Sequence, residues 1–190
     1  IYARRLKRAI VVVHPDRVDA CRVDMDLGAD VIVLDDGLQH LRLARDLDVA
    51  VLDCRRPLGN GRLLPSGPLR DHPSALRGAR IVVLARSELA TSGEQVEARS
   101  LAAHLAPNAR ICVAQHQIDA WHEVRPEGAG WGWKETPPLA PGTAVRALAA
   151  IADPSAFGAA LSRLGLEVVG VSAFSDHHAF ELDELREVFA

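Results

Sequence analysis

The sequence predicts an α/β fold: a three-layer domain on a parallel sheet, present in part, followed by a smaller, incomplete α/β lobe. Two observations predict it. Short aliphatic runs rich in β-branched residues, at 9–13, 31–34, 49–52, 81–84 and 111–114, read as strands covered on both faces. Helix-patterned or loop segments separate them, and strand-helix-strand order predicts right-handed parallel crossovers.

Taken in order, the basic stretch Arg4-Arg5-Leu6-Lys7-Arg8 reads as a solvated helix end ahead of the first strand, 9–13. A helix over 16–27 follows, with Val18, Cys21 and Met25 at helical spacing and Gly28 as its stop. The next strand, Val31-Ile32-Val33-Leu34, ends in Asp35-Asp36-Gly37. Residues 41–45 are expected to make a turn or two of helix, or an ordered loop, before the strand that ends at Asp53. Residues 57–71 are too rich in Gly and Pro for a helix or central strand, and their leucines argue against disorder, so they read as a functional loop. A strand over 81–84, a helix over 92–105 and a strand over 111–114 complete this part.

From Gln117 to Gly142 the composition is that of turns and linkers. Trp131 and Trp133 there suit a membrane surface, an apolar substrate or simple packing onto the nearest domain. The second lobe then runs as a strand over 145–151, a helix over 155–164 capped by Gly165, a strand over 167–171 and the start of a helix over 182–190. One strand pair with two helices leaves a sheet uncovered, so this lobe is expected to be completed by further sequence or another chain.

Composition narrows the function classes. A formal charge of −3, from 22 basic against 25 acidic residues, gives no general attraction to nucleic acid. No apolar run reaches the length of a membrane span, and no signal peptide is evident at the start. Cys21, Cys54 and Cys112 are odd in number, widely spaced and free of any C-x-x-C pattern, so they read as buried reduced thiols, with no disulfide and no zinc site expected.

The chemistry concentrates where strands end. Open parallel sheets place ligands beyond the carboxyl ends of their strands, and an apolar strand ending in Asp is how P-loop enzymes hold Mg²⁺. Asp35 and Asp36 occupy such an end, and the polar stretch after them is too long for a tight hairpin. Arg17 follows a strand at the same predicted edge, where its guanidinium can clamp phosphate oxygens. In Asp176-His177-His178 a histidine can bind metal or act as a base with a carboxylate fixing its tautomer. The plainer alternative is a polar helix start capped by Asp176.

Several stretches together resemble the tetraacyldisaccharide 4'-kinases, the lipid A 4'-kinases of Gram-negative bacteria. They are Asp35-Asp36-Gly37-Leu38-Gln39-His40, Asp46-Leu47-Asp48 into Asp53, Gly59-Asn60-Gly61 with Leu64-Pro65-Ser66-Gly67-Pro68-Leu69-Arg70, Ala150-Ile151-Ala152-Asp153-Pro154 with Phe157, and Phe174-Ser175-Asp176-His177-His178-Ala179-Phe180. The likeness runs in order over nearly the whole chain. It implies ATP- and Mg²⁺-dependent transfer of the γ-phosphoryl group to the 4'-hydroxyl of an acylated glucosamine disaccharide lipid. The enzyme would be peripheral, at the cytoplasmic face of the inner membrane. The implied fold is a P-loop-kinase-like domain, of which residues 1–116 are the C-terminal part, then a linker over 117–142 and the start of a second lobe over 143–190.

By the same resemblance Asp35 and Asp36 correspond to the acidic pair at metal and nucleotide, with Asp35 as the Mg²⁺ ligand, and Gln39 and His40 to the tail of that motif. Arg17 and Arg70 correspond to active-site arginines, Asp71 to a position where Glu is usual, and His177 to the histidine that joins an Asp in activating the hydroxyl. Nothing in the sequence fits G-x-x-x-x-G-K-[ST], and the lysines Lys7 and Lys134 follow no such glycines. The phosphate loop and the Asp partner of His177 are therefore expected upstream of Ile1, and a family Thr-Glu-Lys-Asp segment after Ala190. The chain reads as an internal fragment, inactive alone. Two other classes stay open: a non-catalytic nucleotide- or lipid-binding module, and a DHH-type metal phosphoesterase suggested by Asp176-His177-His178.

Overall fold

The computed structural model describes residues 6, 8–127, 130–176, 178–181, 184 and 188. The chain divides into two compact units, Ile1–Ala114 and Gln115–Ala190. The architecture is mixed α/β with parallel sheets.

In the first unit three strands, β1 (Val49–Asp53), β2 (Ile81–Ala85) and β3 (Arg110–Val113), form a parallel sheet in the order β1-β2-β3. The aliphatic runs specify it because the middle strand is buried: Val82 and Leu84 are 0% and 1% exposed. Helix α1 spans Arg17–Asp26, and α2, Ser92–Leu105, connects β2 to β3. A capping box starts α2, in which the Glu94 amide donates to the Thr91 hydroxyl and the Thr91 amide to the Glu94 carboxylate. Ala98 and Ala102, one turn apart, turn small side chains to the core, where Leu52, Leu76 and Ile111 pack around them.

Helix α1 is capped by Asp16, whose carboxylate accepts from the amides of Val18 and Asp19 at 2.8 and 3.4 Å. Only Ala20 of α1 is buried, and Met25 remains 65% exposed.

Two expected strands are not formed. Residues 9–13 and 31–34 join no sheet, and Val13, Val31 and Val33 stay 80–89% exposed. Aliphatic patterning states that a segment is apolar enough to be a buried strand, whereas the strand itself is a hydrogen-bonded pairing. Among the described residues neither segment has a partner strand. Of the cysteines, Cys54 is buried as expected, while Cys21 and Cys112 are half-buried.

The long connection from β1 to β2 is a built loop. Leu63 bridges Leu69, the Leu64 amide donates to Leu69 O at 2.9 Å, and the Gly67 amide to Leu63 O at 3.0 Å. Gly59 sits at φ +58, where an added Cβ would lie 2.5 Å from Pro68, and a Cβ on Gly67 would lie 2.3 Å from Arg62 O. Only glycine lets the loop close on itself there.

The second unit contains β6 (Ala144–Ala149), α3 (Pro154–Arg163) and β7 (Glu167–Ala173), after a hairpin of β4 (Trp121–Glu127) and β5 (Gly130–Thr136). Strands β6 and β7 are parallel, and Asp153 caps α3 through the Ala156 amide. The hairpin replaces much of the expected linker. Its strands pair antiparallel from Trp121↔Thr136 to Glu127↔Gly130, and Trp121 packs against the cluster of Ala147, Leu161 and Leu166. Pairing and an anchored indole make strands out of turn-like composition. Trp133 does not pack away: it is 72% exposed.

Candidate active site

The Asp35-Asp36-Gly37 turn follows the apolar segment 31–34. Asp35 is exposed, and Asp36 adopts φ +55, a left-handed conformation that aspartate tolerates better than most residues. Gly37 is required next to it, because a Cβ there would lie 2.7 Å from the Leu34 Cβ. The turn continues through hydrogen bonds from the His40 amide to Gly37 O, at 3.1 Å, and from Leu41 to Gln39 O, at 3.0 Å. Gln39 is exposed and His40 half-buried.

The loop over 57–71 delivers Arg70 to this turn, where its Nη1 donates to the Asp36 carboxylate. Asp71 is exposed, and its Oδ1 accepts from the His72 amide at 2.7 Å. Arg17 opens α1 and lines, with Asp16, His40 and Arg42, a shallow hollow of about 170 Å³. Two pairs of the expected site residues are thus brought together, Asp36 with Arg70 and Arg17 with His40. Among the described residues no hydrogen bond joins Arg17 to Asp35, Asp36 or Arg70.

Comparison with known proteins gives one family. The description Tetraacyldisaccharide-1-P 4'-kinase matches residues 1–190. The chain belongs to this kinase family. It is 41% identical over 191 residues to the tetraacyldisaccharide 4'-kinase of Anaeromyxobacter dehalogenans, covering 99% of this chain and 48% of that protein. To the protein of the same name from Geobacter sulfurreducens it is 39% identical over 188 residues, covering 95% and 48%. The chain spans about half the length of the curated relatives it matches. A crystal structure of LpxK from Aquifex aeolicus, described as the apo form in complex with ATP, is 22% identical with a TM-score of 0.39, covering 75% of this chain and 39% of that one.

Within this family member, His177 lies outside the described residues. Its neighbour His178 is held by packing: it stacks on Phe174 at 5.0 Å, meets Phe180 edge-on at 5.5 Å, and its Nε2 lies 2.8 Å from Glu184. Asp53, which ends β1, accepts two bonds from the Arg55 side chain, at 3.1 and 2.8 Å, and one from Arg86 at 3.3 Å. The hydrogen-bonded Arg55 guanidinium, with Arg86 adding charge, holds its carboxyl below the ordinary aspartate range.

Two arginines that sequence reasoning passed over stand beside the predicted residues. Arg42 donates to the Asp16 carboxylate at 3.1 Å, and Arg45 reaches both Asp48 and the His40 carbonyl. The available signal was the Arg45-x-x-Asp48 spacing directly ahead of a strand, which reads equally well as a solvated pair. Among the described residues no helix is long and apolar enough to cross a membrane.

Proposed function

We propose that this chain is the part of a tetraacyldisaccharide 4'-kinase that carries its acidic pair, and that the whole enzyme transfers the γ-phosphoryl group of ATP to the 4'-hydroxyl of an acylated glucosamine disaccharide lipid. The observation that carries the reading is the family match along residues 1–190. The meeting of Arg70 with Asp36 supports it, because phosphoryl transfer depends on placed charge more than on covalent chemistry.

Asp35 and Asp36 differ in what they offer. The Asp36 carboxylate is engaged by Arg70, while Asp35 is an exposed carboxylate following the apolar segment 31–34. Mg²⁺ takes one or two protein carboxylates together with water and phosphate oxygens, so Asp35 fits it. Bound there, the ion would neutralise charge on the phosphate oxygens.

Arg70 and Asp36 are 60% and 63% exposed, and an ion pair in water is worth on the order of 0–1 kcal/mol. A polyphosphate, with more negative charge and several oxygens to offer the fork, outcompetes a single solvated carboxylate for that guanidinium. Asp36 therefore parks Arg70 beside the nucleotide position until phosphate takes it. Arg17 supplies a second cation, Gln39 and His40 border the turn, and Asp71 stands next to Arg70 as a further polar group. His177 is assigned to hydroxyl activation. The larger organisation is read as a three-layer P-loop-type domain ending near residue 116, a connection over 117–142 and a second lobe from 143. The enzyme works as a peripheral protein on the cytoplasmic face of the inner membrane.

The test uses the full-length protein containing this chain, γ-labelled ATP, Mg²⁺ and the disaccharide lipid 1-phosphate in detergent. Label at the 4' position is the expected product. Nucleotide binding without transfer would favour a non-catalytic module, and ATP-independent release of phosphate from the lipid would favour a phosphoesterase.

A further inference from the structure

We infer that Arg45 is a positioning residue for the acidic turn, acting through the backbone of His40; this rests on the kinase reading above. The turn that carries Asp35, Asp36, Gln39 and His40 belongs to no helix or strand, and neither does the stretch up to Asp48. Something other than a ladder must fix where it sits. Arg45 spends its donors on that task. Its Nε and Nη2 face the two Asp48 carboxylate oxygens at 2.5 and 3.3 Å, and its Nη1 donates to His40 O at 2.7 Å.

Asp48 is itself tied to the sheet. Its carbonyl accepts from the amides of Arg80 and Ile81, at 3.0 and 3.3 Å, where β2 begins. The path runs from β2 through the Asp48 backbone to its carboxylate, through the Arg45 fork and onto His40 O. That same carbonyl accepts the Leu43 amide at 3.2 Å, so one oxygen holds both the local turn and the long-range clip. The side chains of Arg45 and Asp48 are 18% and 24% exposed, against 60% and 63% for Arg70 and Asp36. Water competes far less for the clip than for the substrate-facing pair. Placement this distant matters because a misplacement of about 1 Å at a reacting centre costs as much as 100-fold in rate.

Lysine cannot replace Arg45. One ammonium has no planar fork to span a carboxylate and a carbonyl together.

The experiment compares full-length wild type with Arg45→Lys, Arg45→Ala, Asp48→Ala and the double variant Arg45→Ala/Asp48→Ala. It reads kcat and KM for ATP and lipid, and amide hydrogen exchange over residues 36–48 and β2. Expected are a fall in kcat of about tenfold or more for both Arg45 variants, with KM for ATP less affected. Exchange should quicken at His40 and Leu43 and stay unchanged in β2. On the Asp48→Ala background, where the carboxylate that holds the Arg45 fork is gone, removing Arg45 should cost clearly less than it does alone.

Wild-type kcat in Arg45→Lys would overturn the inference. So would full additivity with Asp48→Ala, or exchange that quickens equally in β2, which marks a general loss of stability. If wild type transfers no phosphate, the kinase reading fails, and exchange in the Arg45 variants alone decides whether the clip holds the turn.

Discussion

Arg70 and Asp36 lie 34 positions apart, and the Arg70 guanidinium donates to the Asp36 carboxylate across that separation. The contact ties the Gly-Pro loop to the acidic turn and places a guanidinium on the Asp36 carboxylate, next in sequence to Asp35.

Arg70→Lys in the full-length enzyme should lower kcat about tenfold or more, since the charge stays but the fork is lost. Asp36→Ala should lower activity as well, and the two losses should not add if the residues act as a pair. Steady-state kinetics on the two single variants and the double variant checks this. Additive losses would mean that the contact has no part in catalysis.

A second prediction concerns Asp53, which is partly buried between Arg55 and Arg86. Its folded-state pKa is depressed, so the stability it contributes is fully present above its unfolded value, about 3.9, and is lost as pH falls through the folded value. Urea unfolding of wild type and Asp53→Asn should show a gap at pH 7 and pH 5 that narrows by pH 3. A gap unchanged at pH 3 would show that the carboxylate's charge is irrelevant to folding.

A third prediction separates strands by pairing from strands by pattern. Leu84, 1% exposed at the centre of the sheet, should cost about 2–5 kcal/mol when changed to Ala in the 190-residue chain. Val33, 87% exposed in a segment that joins no sheet, should cost within about 0.5 kcal/mol for the same change. Equal losses in equilibrium unfolding would mean that residues 31–34 are packed after all.

That contrast also describes what the sequence made legible. Strands β1, β2, β3, β6 and β7 and helices α1, α2 and α3 were readable because aliphatic runs, helical spacing and the glycine stops Gly28 and Gly165 act locally. Residues 9–13 and 31–34 carry the same aliphatic pattern, but the pairing partner that would turn it into a strand is not a property of the segment. The hairpin was hidden for the opposite reason. Its glycines and prolines read as turns, while the alternation Trp131-x-Trp133 was the strand signal that composition obscured. At the site, Asp35-Asp36-Gly37 was visible from local chemistry. The nearness of Arg70 to Asp36 depends on how a 15-residue Gly-Pro loop over 57–71 folds back, and Arg45 resembled a solvated charge until its bonds to Asp48 and His40 O were seen.

A fourth prediction concerns Thr91, whose hydroxyl and Glu94 satisfy each other's backbone amides at the start of α2. Thr91→Ala should destabilise the chain by about 1 kcal/mol and leave the kinetics of the full-length enzyme unchanged. A loss of kcat with no change in unfolding midpoint would place α2's start in the site.

The central claim is that the acidic turn is the place where phosphoryl transfer is organised, and Asp35 tests it most directly. The measurement is transfer of labelled γ-phosphate to the disaccharide lipid by full-length wild type and Asp35→Asn, at equal folded concentration confirmed by matching unfolding midpoints. The account predicts transfer by wild type and a loss of about 100-fold or more in Asp35→Asn, because the amide keeps the shape and loses the charge that a hard cation needs. Undiminished transfer by Asp35→Asn would contradict it.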